Sequence, residues 1–172
     1  MIIIPDIHGR TFWKEAVKDK NDKIIFLGDY VDPFYDEEGI DTTTTILNLL
    51  DIIDFKKKNP DQVILLLGEH DFMYMDAEHV RRACRHNYLE EPRITGIYMD
   101  NKDLFDILYS QTINDKLYIF SHAGIISDWL IKYKKLFGEF TSIKDSLPKI
   151  NELFKNWDKK FIKSLLRSEE RR

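Results

Sequence analysis

Short runs of apolar residues punctuate the chain, and each one stops at a polar block. Ile2-Ile3-Ile4, Ile24-Ile25-Phe26-Leu27, Val63-Ile64-Leu65-Leu66-Leu67 and Leu117-Tyr118-Ile119-Phe120 are continuously apolar and bounded by turn-forming residues. That pattern predicts strands buried on both faces. Between them, apolar residues recur at three- and four-residue spacing over Trp13 to Lys20, Thr42 to Lys58 and Asp100 to Gln111, which predicts helices. Leu104, Ile107 and Leu108 form one face of the last. Asp41 and Asp100 stand where N-caps are expected. Asn59-Pro60 ends the second helix, because proline lacks an amide proton and restricts the residue before it. Trp129 to Phe137 and Ile143 to Leu166 also read as helical, with no further strand after His122. Alternating strands and helices predict an α/β fold whose sheet is at least partly parallel and covered on both faces.

A chain of 172 residues, 43% hydrophobic, is long enough for one domain whose core needs neither disulfides nor a structural metal. The lone cysteine, Cys84, rules out an intrachain disulfide and a cysteine-rich zinc module, and it fits a reducing cytoplasm. The first apolar run ends at Ile4, far short of a secretory leader, and no later run is long enough to span a bilayer. A soluble cytoplasmic protein is the expectation. The net charge of -4 provides no broad positive field, so binding to a nucleic-acid backbone is not expected. Residues 155–172 depart from this balance with seven Lys and Arg against three Asp and Glu. With Leu153, Trp157, Phe161 and Leu165 along one stripe, they read as a core-packed helix with a solvated outer face.

The blocks that follow the strands carry the chemistry. They are Asp6-Ile7-His8-Gly9, Gly28-Asp29-Tyr30-Val31-Asp32, Gly68-Glu69-His70-Asp71 and Ser121-His122-Ala123-Gly124. Strands that end side by side in carboxylates and imidazoles gather oxygen and nitrogen ligands at one edge of a sheet, where they hold a cation. In Asp6-x-His8, strand alternation points both side chains the same way. A carboxylate such as Asp29 has two oxygens with which to bridge two cations. Asp32 is placed to orient a histidine. A histidine held by a carboxylate beside such a centre is suited to protonate a leaving alkoxide, and His70 is the candidate. Ala123 and Gly124 leave room for backbone to approach a ligand after His122. Each block alone has a plainer reading, as a surface turn, an Asx-capped loop or a structural histidine.

Together, in this order and in these contexts, the blocks resemble those of the metallophosphoesterase superfamily, and most of all its calcineurin-like, serine/threonine phosphoprotein phosphatase branch. The resemblance covers residues 1–125. It implies a metallophosphoesterase-type mixed β-sandwich flanked by helices, with two divalent metal ions (Mn, Fe or Zn, with manganese favoured) at its edge. By motif position Asp6, His8 and Asp29 hold the first metal, and Asp29, Glu69 and His122 the second. His70, supported by Asp32, assists the leaving group while a metal-bridging hydroxide attacks phosphorus in line. The implied substrate is phosphorylated: a phosphoprotein, a nucleotide or a small phosphoester.

The chain departs from that pattern in three places. Glu69 stands where the family has asparagine. Two divalent ions bring +4 and Asp6, Asp29 and Glu69 bring -3, leaving +1 where asparagine would leave +2, so Glu69→Asn is expected to raise turnover. No histidine follows His122, whereas the family supplies more from carboxyl-terminal strands. Those strands are expected to be missing or incomplete, leaving an edge open or covered by a partner chain. Pro33-Phe34 occupies the place where phosphatase branches carry arginine. Arg10, Arg81, Arg82 and Arg85 are alternatives for phosphate, each with a solvated surface role as its plainer reading. Phe34, Tyr35, Phe72, Tyr74 and Tyr88 are candidates for an apolar wall or for ordinary packing. A catalytically weakened, metal-binding or regulatory module is the second functional reading.

Overall fold

A parallel sheet forms from the first three predicted strands, the second and third each one residue shorter than its apolar run. The computed structural model describes residues 1–34, 39–75, 85–124, 143–156, 158 and 161. The expected helix over Trp129 to Phe137 and the continuation to Leu166 lie outside the described residues, as do Tyr35, Arg81, Arg82 and Cys84. The chain divides into two units, Met1–Phe105 and Asp106–Arg172.

In the first unit, β1 (Ile2–Ile4) pairs parallel with β2 (Ile24–Phe26), Ile3 opposite Ile25, and β2 pairs parallel with β3 (Val63–Leu66), Ile25 opposite Ile64. β4 (Phe105–Asp106) completes the order β1-β2-β3-β4. Ile24, Ile25 and Phe26 are fully buried, as a continuously apolar central strand requires. Ile3, on the edge strand, remains 49% exposed, so β1 is covered on one face only.

Between β1 and β2, helix α1 (Trp13–Ala16) is a single turn rather than the expected run to Lys20. The chain leaves the helix after Val17 and turns at Asp19, whose φ is +55°. Between β2 and β3, α2 (Thr42–Lys58) matches its predicted span. Asp41 caps it by accepting from the Thr44 amide at 2.7 Å, and Asn59 closes it before Pro60. Ile46, Leu49 and Ile52 on its inner stripe are fully buried, each contributing about 1.5–3 kcal/mol relative to exposure. Asn48 on the same stripe accepts from Trp13 Nε1 at 2.9 Å and donates to the Arg10 carbonyl at 3.0 Å, fastening the loop after β1 to α2. Helix α3 (Glu69–Met75) follows β3, and α4 (Glu91–Asp100) follows with Pro92 in its first turn.

The helix expected over Asp100 to Gln111 is not present. Asp100 is the last residue of α4, a 3-10 turn spans Lys102–Leu104, and the chain is then extended in β4 and in β5 (Leu108–Ile113). The spacing of Leu104, Ile107 and Leu108 fits either period. What decides is the β-forming content of Phe105, Tyr109, Thr112 and Ile113 and the turn behind it. β5 pairs antiparallel with β6 (Lys116–Ser121), from Leu108 opposite Ser121 to Ile113 opposite Lys116. Asn114 and Asp115, with φ of +49° and +61°, make the two-residue connection of a tight hairpin. β6 departs from the buried strand expected there, since Leu117, Tyr118 and Ile119 are exposed. Helix α5 (Ile143–Lys155) packs on the hairpin and buries Leu147, Ile150 and Phe154. Its Asn151 side chain accepts from the amides of Ile107 and Leu108 and donates to the Leu108 carbonyl. The architecture is therefore mixed α/β, with a parallel sheet, an antiparallel sheet and helices. No helix among the described residues is long and apolar enough to cross a membrane.

Candidate metal centre

Because β1, β2 and β3 run parallel, the blocks that follow them leave the sheet at one edge. Backbone bonds then fasten the first block to the second. The amides of Ile7 and His8 donate to the Asp29 carbonyl at 3.0 and 2.7 Å, and the Gly9 amide donates to the Tyr30 carbonyl at 3.0 Å. The second and third blocks touch through glycine. A Cβ on Gly28 would lie 2.2 Å from the Gly68 nitrogen, and one on Gly68 would lie 2.1 Å from Asp29 Oδ1. Neither position admits a side chain.

Asp71 locks this junction from beneath. Fully buried, it accepts from the amides of Asp29 at 2.6 Å, Tyr30 at 2.8 Å and Gly68 at 2.9 Å, and from the Tyr98 hydroxyl at 2.5 Å. Burial and then the charge of Asp29 push its carboxyl up to about 7, against the pull of the Tyr98, Gly68 and Tyr30 bonds. Burial raises the Tyr98 phenol well above its usual range, with Asp71 adding to the effect, so it remains a donor.

The two expected ligands of the first unit that are buried face each other. His8 Nδ1 lies 2.8 Å from the Val31 carbonyl, which can only accept, so Nδ1 carries the proton. Nε2 of the same ring lies 3.7 Å from Asp29 Oδ2. Two electron-pair donors held at that separation, the imidazole oriented through its other nitrogen, fit a shared cation. Asp29 Oδ1 meanwhile accepts from the His70 amide at 3.0 Å. Asp29, Glu69 and His70 each offer a donor atom, and these atoms lie within 4.8 Å of one another.

His70 and Asp32 form the second element of the site. His70 Nδ1 is 2.7 Å from Asp32 Oδ2, and the Tyr74 hydroxyl donates to Asp32 Oδ1 at 2.5 Å. Burial acts to lower the imidazole pKa, but the bond to Asp32 and the charges of Asp29, Asp32 and Asp71 together outweigh it, and His70 stands above its usual value. The rings of His8 and His70 meet edge to face at 5.1 Å, and Phe34 meets His8 at 5.6 Å.

The calcineurin-like phosphoesterase family model matches residues 2–170. The chain belongs to that family. No curated protein and no solved structure matches it. Calcineurin-like phosphoesterases catalyse metal-dependent hydrolysis of phosphoesters, and Asp and His groups in this member are positioned for metal.

Within the phosphoesterase's first unit, His8, Asp29, Asp32, Glu69 and His70 come together, though not as strand alternation would arrange them. β1 ends at Ile4, and His8 takes a φ of +43°, so a left-handed turn aims its ring. Asp6 lies exposed in the loop just after the strand. Glu69 and His70 open α3 rather than a loop, with Glu69 exposed and His70 buried. His122 follows β6 in the second unit.

Sequence reasoning gave Asp71 no role, although it is the last residue of a block it singled out. It also read Tyr74 as wall or packing. Tyr74 is four residues beyond His70 on α3, so one helix face brings both side chains to Asp32. Of the other proposed wall residues, Phe72 is buried and Tyr88 is exposed. Arg85 was one of four arginines offered for phosphate, with a solvated role as its plainer reading, and its Nη2 lies 3.5 Å from His70 Nε2. Nothing in the sequence singled it out from the other three.

Proposed function

We propose that this chain is a phosphatase-type phosphoesterase acting as one catalytic domain across residues 1–172, in a reducing cytoplasm that suits its single cysteine. Asp6, His8 and Asp29 would hold one divalent ion, and Asp29, Glu69 and His122 a second, with manganese the favoured metal. Bound divalent ions lower the pKa of a coordinated water and offset charge on the phosphoryl oxygens. Asp29 and His8 are already oriented for that task, by the His70 amide and the Val31 carbonyl respectively. His70 gives its Nε2 proton to the leaving oxygen, while Asp32 holds the imidazolium and Tyr74 holds Asp32. The substrate is a phosphate ester, with phosphoprotein, nucleotide and small phosphoester as the candidates. The observation that carries this reading is His8 Nε2 facing Asp29 Oδ2 across 3.7 Å, beside a carboxylate-held histidine.

Metal content and turnover of an aryl phosphate, measured together in manganese, test it. Two ions per chain and turnover that chelation abolishes are expected. Replacing His70 by Asn should lower turnover by about 10²–10⁴ at unchanged metal content. Metal bound without any turnover would instead describe a binding module and end the hydrolase reading.

A further inference from the structure

Seven described residues other than glycine hold a positive φ. Asp19, Asn114 and Asp115 are turn residues of a type that tolerates it. His8, Asp29 and Asp32 belong to the blocks of the metal centre. The seventh is Arg85, with a φ of +65° and no such excuse in its side chain. Left-handed backbone at a residue of this kind persists only where its surroundings enforce it, and such positions collect at functional sites.

Its surroundings are specific. The Arg85 guanidinium lies over the Phe34 ring, with Cζ 3.5 Å from the centroid, and Nη2 lies 3.5 Å from His70 Nε2. The next two residues are fixed to the same assembly. The His86 ring stacks on Tyr74 at 4.2 Å, and the Asn87 amide donates to the Tyr74 hydroxyl at 2.9 Å. Arg85 Nε, by contrast, is buried with no hydrogen-bond partner among the described residues. A guanidinium stays charged at any working pH, and its donors form a fork matched to tetrahedral oxyanions. This one is pinned by an aromatic ring, set against the histidine that meets the leaving group, and short of an acceptor.

We infer that Arg85, clamped on Phe34, binds the phosphoryl group of the substrate and offsets the charge that Glu69 adds to the site. With Glu69 the metal centre carries +1, and Arg85 brings the total to +2, the value asparagine would give at position 69. The inference rests on the phosphoesterase reading above. It adds to that reading a residue that no block contains.

Tungstate, a tetrahedral oxyanion that is not turned over, is the probe, titrated calorimetrically into the manganese-loaded protein. Arg85→Ala should weaken tungstate binding about tenfold to a hundredfold. Arg85→Lys keeps the charge without the fork and should weaken it less, as should Phe34→Leu, which removes the platform. The KM for an aryl phosphate should rise in the same order. Adding Glu69→Asn to Arg85→Ala should restore much of the lost affinity. Wild-type protein that does not bind tungstate, or Arg85→Ala and Arg85→Lys proteins that melt and bind tungstate like wild type, would overturn the inference. If Arg85→Ala does not fold, Arg85→Lys decides. Tungstate binding that depends on Arg85 in a protein without turnover would leave the anion site standing and remove the phosphoesterase reading. Turnover with tungstate binding indifferent to Arg85 would do the reverse.

Discussion

One backbone conformation serves opposite ends in two regions of this molecule. At the tip of the hairpin in the second unit, Asn114 and Asp115 are left-handed and exposed. There the residue types themselves lower the strain, because short polar side chains tolerate that region. At the candidate metal centre in the first unit, His8, Asp29 and Asp32 are left-handed and buried, with φ of +43°, +53° and +57°. There the neighbours impose it. His8 is held at its amide by the Asp29 carbonyl and at its ring by Val31, Asp29 at its amide by Asp71, and Asp32 at its carboxylate by His70 and Tyr74. Strain of about 1–3 kcal/mol per residue is sustained in the first unit by convergent bonds. In the hairpin it is largely avoided by composition. Disturbing the neighbours should therefore damage the first region severely, whereas changing the turn residues should alter the second only slightly.

The largest effect is expected at Gly68. A Cβ there would sit 2.1 Å from Asp29 Oδ1 and 2.6 Å from the Asp29 nitrogen, so Gly68→Ala must move backbone at the junction of two blocks. We expect a loss of more than about 3 kcal/mol in urea unfolding, beyond the usual range for an overpacked site. Any folded protein should bind divalent metal far more weakly than wild type. Gly96→Ala is the control, since a Cβ there meets nothing within 4 Å and the position is inside α4. It should stabilise by up to about 1 kcal/mol. If the two variants behave alike, close approach of the blocks is not what holds the site.

Asp71→Asn should come next. Each Asp71 oxygen accepts twice, Oδ1 from the Tyr30 amide and Tyr98 hydroxyl and Oδ2 from the Asp29 and Gly68 amides. An asparagine must turn an NH₂ toward one of these pairs, leaving donors facing a donor. The expected cost is about 2–3 kcal/mol, from buried donors left without acceptors, and it should be read by denaturant unfolding of the metal-free protein. A cost below about 0.5 kcal/mol would mean the four bonds are not what fixes the Asp29 backbone.

What the sequence disclosed of all this follows from where the physics is local. The parallel strands and α2 were legible because continuous apolar runs, an Asp41 cap and Asn59-Pro60 each act over a few residues. The histidines and carboxylates of the candidate centre stood out as polar blocks placed after strands. The stretch from Asp100 to Ile113 was misread, because Leu104, Ile107 and Leu108 fit two periods and Asn114-Asp115 was not weighed as a hairpin turn. Tyr74 was misassigned, Asp71 was missed and Arg85 was left undistinguished among four arginines for a different reason. Their partners lie 42, 42 and 15 residues away, at Asp32, Asp29 and His70, and only the fold brings them together.

The smallest effect should come from the hairpin tip, and with the opposite sign. Asp115 has a φ of +61° at the second central position of the turn, where glycine fits without steric cost and Asn-Gly is the favoured pair. Asp115→Gly leaves Asn114 in place and adds no group that must be buried. Relief of left-handed strain is partly cancelled by the greater freedom of glycine in the unfolded chain. The net gain is expected at about 0.5 kcal/mol, a rise in melting temperature of about 1–2 °C for a chain of this size. Metal binding and tungstate affinity should not move, since Asp115 sits at the exposed tip of the hairpin. A destabilisation comparable to that of Asp71→Asn would show that the hairpin turn, too, is held by its surroundings, and the contrast between the two regions would fail.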